Sequence, residues 1–369
     1  MKKLFALSLS LLMMVSCSSA QKEIQVGALS FDEYLPLLEG KRVSILSNQT
    51  GMVSSTTHLL DTLLDMGVNV VSIMSPEHGF RGVADAGEHV SSSIDPDTGI
   101  PIRSLYESGV NRPSDESMAE FDVMVFDLQD VGVRFYTYNA TMARMMDACA
   151  QFGKKMIVLD RPNPLGYYVD GPILDMKYKS GVGWLPVPVV HGMTLGELAL
   201  MINGEGWLKD GIQCDLTVVP CKNYTRDMEY VLPIKPSPNL PDMRSIYLYP
   251  STCYFEATPV SLGRGTDKPF QIYGHPDMTG YDFSFTPRSV PGAKNPPQLD
   301  KLCYGVDLSS LPIEEIKARG INLEYVIDAY NNLKLDDKKM FRSFFELLIG
   351  QGYVREMIVE GKSAAEIEA

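Results

Sequence analysis

Four short apolar runs constrain this chain more than any other feature: Val43-Ser44-Ile45-Leu46, Val68 to Met74, Phe121 to Phe126, and Lys155 to Leu159. They are rich in Val, Ile and Leu and lack clean alternation, so both faces of each strand must be buried, as in a parallel sheet covered by helices on either side. The intervals supply those helices. Ser54 or Ser55 can cap a segment carrying Leu59, Leu60, Leu63 and Leu64 and closed by Gly67. Thr137 to Phe152 sets Met142, Met145, Met146 and Cys149 on one face before Gly153. The expected layout is doubly wound α/β.

Each run stops in a polar cluster: Asn48-Gln49-Thr50-Gly51, Ser75-Pro76-Glu77-His78-Gly79, Asp127-Leu128-Gln129-Asp130-Val131-Gly132, and Asp160-Arg161-Pro162-Asn163-Pro164. Ligands of open parallel sheets bind outside the carboxyl ends of the strands, so four such clusters converge on one rim. One alone could be a helix cap; four are hard to explain that way. Farther on, Thr194 and Glu197 have capping-box spacing ahead of Leu195, Leu198, Ala199 and Ile202. Prolines 220, 233, 236, 238 and 241 crowd a boundary expected between about 220 and 240, giving a first domain over 24–232 and a smaller one over 233–369. Helical patterns there cover Pro312 to Ala318, Glu324 to Asn331 and Met340 to Ile349, and the last residues, Ser363 to Glu366, start like a capped helix.

The amino terminus reads as an export signal: Lys2 and Lys3, an apolar stretch from Leu4 to Val15, then small residues. That stretch is too short to span a bilayer. Two processing readings compete, acylation at Cys17 as a lipoprotein and cleavage after Ala20; either takes the protein out of the cytoplasm, to the periplasm or the envelope. Removing residues 1–20 takes away two Lys and no acid, moving the formal charge from −13 to −15. Such acidity argues against a nucleic-acid partner, and leaves a lipid on Cys17 as the membrane link. Apart from Cys17 there are five cysteines, without C-x-x-C spacing, which disfavours a zinc ribbon or a full disulfide framework. Cys214 and Cys221 could pair, although small buried thiols fit better.

The chemistry narrows by elimination. H-E-x-x-H, G-x-S-x-G, G-x-G-x-x-G and the P-loop are all missing, so no metal, nucleotide or other cofactor is expected. Carboxylate chemistry remains. Glycoside hydrolysis uses one carboxylic acid to protonate the leaving oxygen and commonly a second as base or nucleophile. Glu77 leads, with His78 beside it, and Asp127, Asp130, Asp160 and Glu256 are candidate seconds. Arg134, Phe135, Tyr136, Tyr138 and Asn139 offer aromatic faces and donors suited to a sugar ring, or a loop packed on the core. Arg161 and Arg264 could grip a substrate carboxylate or neutralise neighbouring acids. Gly263 and Gly265 around Arg264 mark either a tight turn or backbone close to a ligand.

Together with Asp170-Gly171-Pro172, His191-Gly192-Met193-Thr194, Pro238-Asn239 and Gly263-Arg264-Gly265-Thr266, these motifs resemble the DUF1343, or YbbC/NamZ, family of exo-β-N-acetylmuramidases, in order along nearly the whole chain. The resemblance implies a Rossmann-like first domain, a smaller α/β or α+β second domain and a cleft between them. It implies an exo-acting glycosidase that removes N-acetylmuramic acid from the non-reducing end of peptidoglycan fragments during cell-wall turnover, with Glu77 and His78 as its catalytic pair. Asn48, Asp127, Gln129, Arg134, Tyr136, Tyr138, Asn139, Arg161, Asn163, Glu256 and Arg264 are the expected substrate-binding residues from the rim argument. Two readings compete with turnover by a glycosidase: an envelope protein that binds a cell-wall sugar, and an esterase or amidase. Relatives of this kind usually run on past the point matching Ala369, so a shortened end is expected.

Overall fold

The computed structural model describes residues 22–77, 79–80, 92–105 and 112–369. The export segment, Cys17 and His78 lie outside the described residues. Strands β1 (Val43–Ser47), β2 (Val70–Ser75), β3 (Ser93–Ile94), β4 (Pro101–Ser104), β5 (Val123–Asp127), β6 (Lys155–Leu159) and β7 (Asp215–Val219) form one sheet in the order β3-β4-β2-β1-β5-β6-β7. All its pairings are parallel except β3 with β4 at the edge. The chain builds outward from β1 to β2 and β4, then returns to the other side of β1 with β5. That reversal opens a crevice beyond the carboxyl ends of β1 and β5.

The four expected strands are the four central ones, and the absence of alternation has a simple cause. Val123 and Val125 of β5 join a core with Val43, Ile45, Ile157 and Leu159. Met124 and Phe126, with Leu46, Met156 and Val158, join a second core on the opposite face. The first is covered by α1 (Phe31–Leu38) and α2 (Leu59–Asp65). The second is covered by α4 (Tyr138–Gln151) and α5 (Leu195–Gly204), whereas the short α3 (Asp115–Ala119) precedes β5. The capping box of Thr194 and Glu197 forms as expected. The cap of α2 does not: His58 accepts from the Leu60 amide, while Ser54 is used on the turn before it, accepting from the amides of Thr56 and Thr57.

The second domain is built on a three-stranded antiparallel sheet, β8 (Ile272–His275), β10 (Cys303–Asp307) and β9 (Phe283–Phe285) in that order. Around it lie α6 (Met243–Thr252), α7 (Ile313–Arg319), α8 (Glu324–Leu333), α9 (Asp337–Met340), α10 (Phe344–Ile349), α11 (Tyr353–Val359) and α12 (Ala364–Glu368). The helix expected over Met340 to Ile349 is two. Phe341 is extended (φ −107°, ψ 114°) and buried, and the next amide, of Arg342, donates to the Ala257 carbonyl instead of continuing a helix. The five cysteines beyond Cys17 are free thiols, four of them buried, so Cys214 and Cys221 do not pair.

The larger core does not stop at the domain boundary. It runs from β5 and α4 through Phe135, Tyr249 and Tyr254 to Phe345 of α10, with edge-to-face ring contacts at 5.1 Å (Phe135 to Tyr249) and 5.9 Å (Phe135 to Tyr254). One continuous core therefore sets how the two domains sit together.

Candidate active site

Glu77 follows β2 by two residues and lines a pocket of ≈ 540 Å³. Tyr136, Thr137 and Tyr138, at the start of α4, form part of its wall; Val182 comes from a tight turn; Ser237 and Leu240 come from the proline-rich loop; Tyr249, Glu256, Arg264 and Phe270 come from the second domain.

The wall is held from behind. Thr137 Oγ1 donates to Glu77 Oε2 at 2.6 Å. The Tyr136 hydroxyl donates to the Pro236 carbonyl at 2.9 Å, and its ring meets Tyr138 edge-on at 4.8 Å. The Tyr138 hydroxyl accepts from Asn48 Nδ2 at 2.7 Å, and Asn48 Oδ1 accepts from both the amide and the hydroxyl of Thr50. Burial raises the Tyr136 and Tyr249 phenols well above their usual range, so they act as neutral hydrogen-bonding rings.

Across the domain boundary, Arg264 Nη2 donates to Glu256 Oε1 at 2.5 Å, and its guanidinium lies 5.1 Å from the centre of the Phe270 ring. Burial opposes the charge, but Glu256 outweighs it and raises the Arg264 pKa. The flanking glycines decide between the two readings of that motif. Gly263 (φ +83°) and Gly265 (φ +79°) are left-handed, and a Cβ on either would run into a carbonyl oxygen, of Lys268 and Arg288 respectively. They make a tight turn that presents Arg264 to the pocket.

Of the expected substrate-binding residues, Tyr136, Tyr138, Glu256 and Arg264 line this pocket with Glu77. The others are placed differently, and none of them lines the pocket. Arg134 is completely buried and donates to the carbonyls of Pro172, Val187, Leu348 and Ile349. Asn139 donates to the carbonyls of Val133, Arg134 and Tyr136, pinning the turn into α4. Asn163 joins the Leu165 amide to the Met193 carbonyl. Arg161 forms a bidentate ion pair with Asp127 at 2.6 and 2.9 Å, with 4% and 0% of the two side chains exposed, and donates also to the Met52 carbonyl. It does not line the pocket. Asn48 and Gln129 stand one layer behind the wall, Gln129 bridging the carbonyls of Asp130 and Pro162.

Two further acids of the rim are buried supports. Burial pushes the Asp130 carboxyl up to about 7, against the amide of Gly132 that donates to it. Burial likewise pushes Asp160 up to about 6, against donors from Thr194, Gly196 and Arg161. Neither lines the pocket. Thr137, Ser237, Tyr249 and Phe270 were not anticipated. Their only sequence signal was position, Thr137 between Tyr136 and Tyr138 and Ser237 among the crowded prolines.

Two carboxylates and one arginine, contributed by two domains to a small pocket walled with tyrosines, are the equipment of an α/β glycoside hydrolase. Comparison with known proteins agrees. The model described as exo-beta-N-acetylmuramidase NamZ, N-terminal, matches residues 43–244, and the C-terminal model matches residues 247–369. The chain belongs to the exo-β-N-acetylmuramidase NamZ family. The peptidoglycan beta-N-acetylmuramidase NamZ of Bacillus subtilis (strain 168) is 38% identical over 352 residues, covering 91% of this chain and 84% of that protein. Two crystal structures of DUF1343 family proteins from Bacteroides fragilis NCTC 9343 are similar to it. One has 61% identity and a TM-score of 0.87, covering 94% of each chain; the other has 30% identity and a TM-score of 0.74, covering 90% of each.

Proposed function

We propose that this protein is an exo-acting β-N-acetylmuramidase, removing terminal N-acetylmuramic acid from the non-reducing ends of peptidoglycan fragments in cell-wall turnover. The observation that carries the reading is the meeting of Glu77 with the Arg264–Glu256 pair in one small pocket. Glu77 is the general acid/base that protonates the departing glycosidic oxygen. His78, its neighbour in sequence, orients that acid or stabilises charge beside it.

Muramic acid differs from glucosamine by a lactyl ether ending in a carboxylate. An acidic protein needs a local cation to accept it, and Arg264 faces the pocket with 17% of its side chain exposed. The guanidinium carries five donors, enough to hold Glu256 and a second carboxylate together. Tyr136 and Tyr138 give the sugar ring its apolar wall.

A chromogenic β-N-acetylmuramic acid glycoside assayed beside its N-acetylglucosamine counterpart tests the proposal. The first should be cleaved and the second spared, and Glu77→Gln should lose turnover while keeping the fold. Tight binding of the muramic acid sugar without release would instead identify a binding protein. The proposal includes export, with processing at Cys17 or after Ala20; mass spectrometry of the mature amino terminus decides between an acylated Cys17 and a free Gln21.

A further inference from the structure

The hydrogen bond from Thr137 to Glu77 reaches across 60 residues of sequence and is made by a residue whose usual task lies elsewhere. Thr137 is the N-cap of the 14-residue helix α4. A threonine there ordinarily accepts from a backbone amide of the first turn, satisfying one of the helix's unpaired donors. Here it makes no such bond, and its own backbone is helical (φ −70°, ψ −8°) instead of extended. The hydroxyl is turned outward and donates to Glu77 Oε2 at 2.6 Å. Its carbonyl is anchored in the helix, accepting from both the amide and the hydroxyl of Thr141. The donor is therefore fixed to a rigid element, whereas the acid stands on the loop after β2, at a long side chain with several rotatable bonds.

We propose that Thr137 is a positioning residue for the reaction, holding Glu77 by Oε2 so that the carboxyl meets the glycosidic oxygen in one fixed orientation. This rests on the reading of Glu77 as the general acid/base. The placement has a chemical logic. As Glu77 gives up its proton, negative charge develops on the carboxyl. A donated hydroxyl and the positive end of α4 both oppose less reorganisation to that charge than bulk water does. Thr137 thus exchanges a helix-capping bond for one that becomes stronger as the acid ionises. Its neighbours in the wall have other partners: the Tyr136 hydroxyl is committed to Pro236, and the Tyr138 hydroxyl accepts from Asn48.

The test compares Thr137→Val, which keeps the shape and removes the donor, with Thr137→Ser, which keeps the donor, both in the full-length protein on the chromogenic muramic acid glycoside. Expected for Thr137→Val is a fall in kcat of about 10- to 100-fold with KM changed by about two-fold or less, as for a lost bond to a charging group. Thr137→Ser should recover most of the lost kcat, and thermal unfolding midpoints should show all three proteins folded. Unchanged kcat in Thr137→Val would overturn the inference. So would an equal loss in Thr137→Val and Thr137→Ser, which would assign the residue to packing. A wild-type chain that releases no sugar would overturn the underlying reading and this inference with it, an outcome distinct from the other two.

Discussion

At the scale of single residues, the pocket separates arginines that the sequence presents alike. Arg264 faces the cavity; Arg161 is spent on Asp127 and Arg134 on carbonyls. Arg264→Lys keeps the charge beside Glu256 but loses the planar fork. It should lower kcat/KM on the muramic acid glycoside by roughly 10- to 100-fold and shrink its preference over the glucosamine glycoside, read from the ratio of the two. Asp130 gives a prediction of a different kind. Its carboxyl titrates at about 7 in the folded protein, well above the ordinary acid range, because burial penalises its ionised form. The native state therefore holds that proton more tightly than the unfolded chain does. The stabilisation is complete below about pH 4 and is lost as pH rises through about 7. Asp130→Asn removes this dependence. Denaturant unfolding should show the variant gaining on the wild type between pH 5 and pH 8, by at most ~4 kcal/mol.

At the scale of elements, the segment from Asp127 to α4 is the piece on which the site turns. It delivers Tyr136, Thr137 and Tyr138 to the pocket and sends Arg134 the other way, under the end of α10. Burial draws the Arg134 guanidinium down only to about 10, so it stays cationic, and it donates to four carbonyls, those of Val187, Leu348 and Ile349 in buried bonds. Arg134→Met should cost about 3 kcal/mol or more in denaturant unfolding, since the acceptors are left buried without donors. The turn at Gly263 acts similarly for the second domain. Gly263→Ala forces a Cβ into the Lys268 carbonyl at a positive φ, so activity and thermal midpoint should fall together. A full-activity variant would show that the turn does not place Arg264.

At the scale of the whole molecule, the apolar core is continuous from the parallel sheet into the second domain, and the pocket takes walls from both. Two domains joined by a small polar contact would unfold separately; these should not. Calorimetry of the full chain should give one transition, and residues 22–242 alone should be insoluble or unfolded, with Phe135 and Leu240 stripped of their cover. Two resolved transitions would show the opposite.

The sequence by itself determined the parallel sheet, its four central strands and the motif around Glu77. Burial on both faces leaves short runs rich in Val, Ile and Leu, and the polar clusters that end them mark the rim of a parallel sheet. The outer strands β3, β4 and β7 escaped, because the margins of a sheet need fewer apolar residues: both residues of β3 are exposed, β4 begins in Pro101, and most of β7 is only partly covered. Only the tertiary structure decided which polar residues of the rim reach the cavity. Asp127, Arg161, Arg134 and Tyr136 are all of the type that a sugar site uses, but a buried donor or acceptor must be satisfied wherever it lies. Which are satisfied by the protein and which face the pocket depends on contacts such as Asp127 with Arg161 and Arg134 with Leu348, made between residues 34 and 214 positions apart. No local pattern encodes those distances; the pairing of β5 with β6 sets the first, and the packing of α10 against the segment before α4 sets the second.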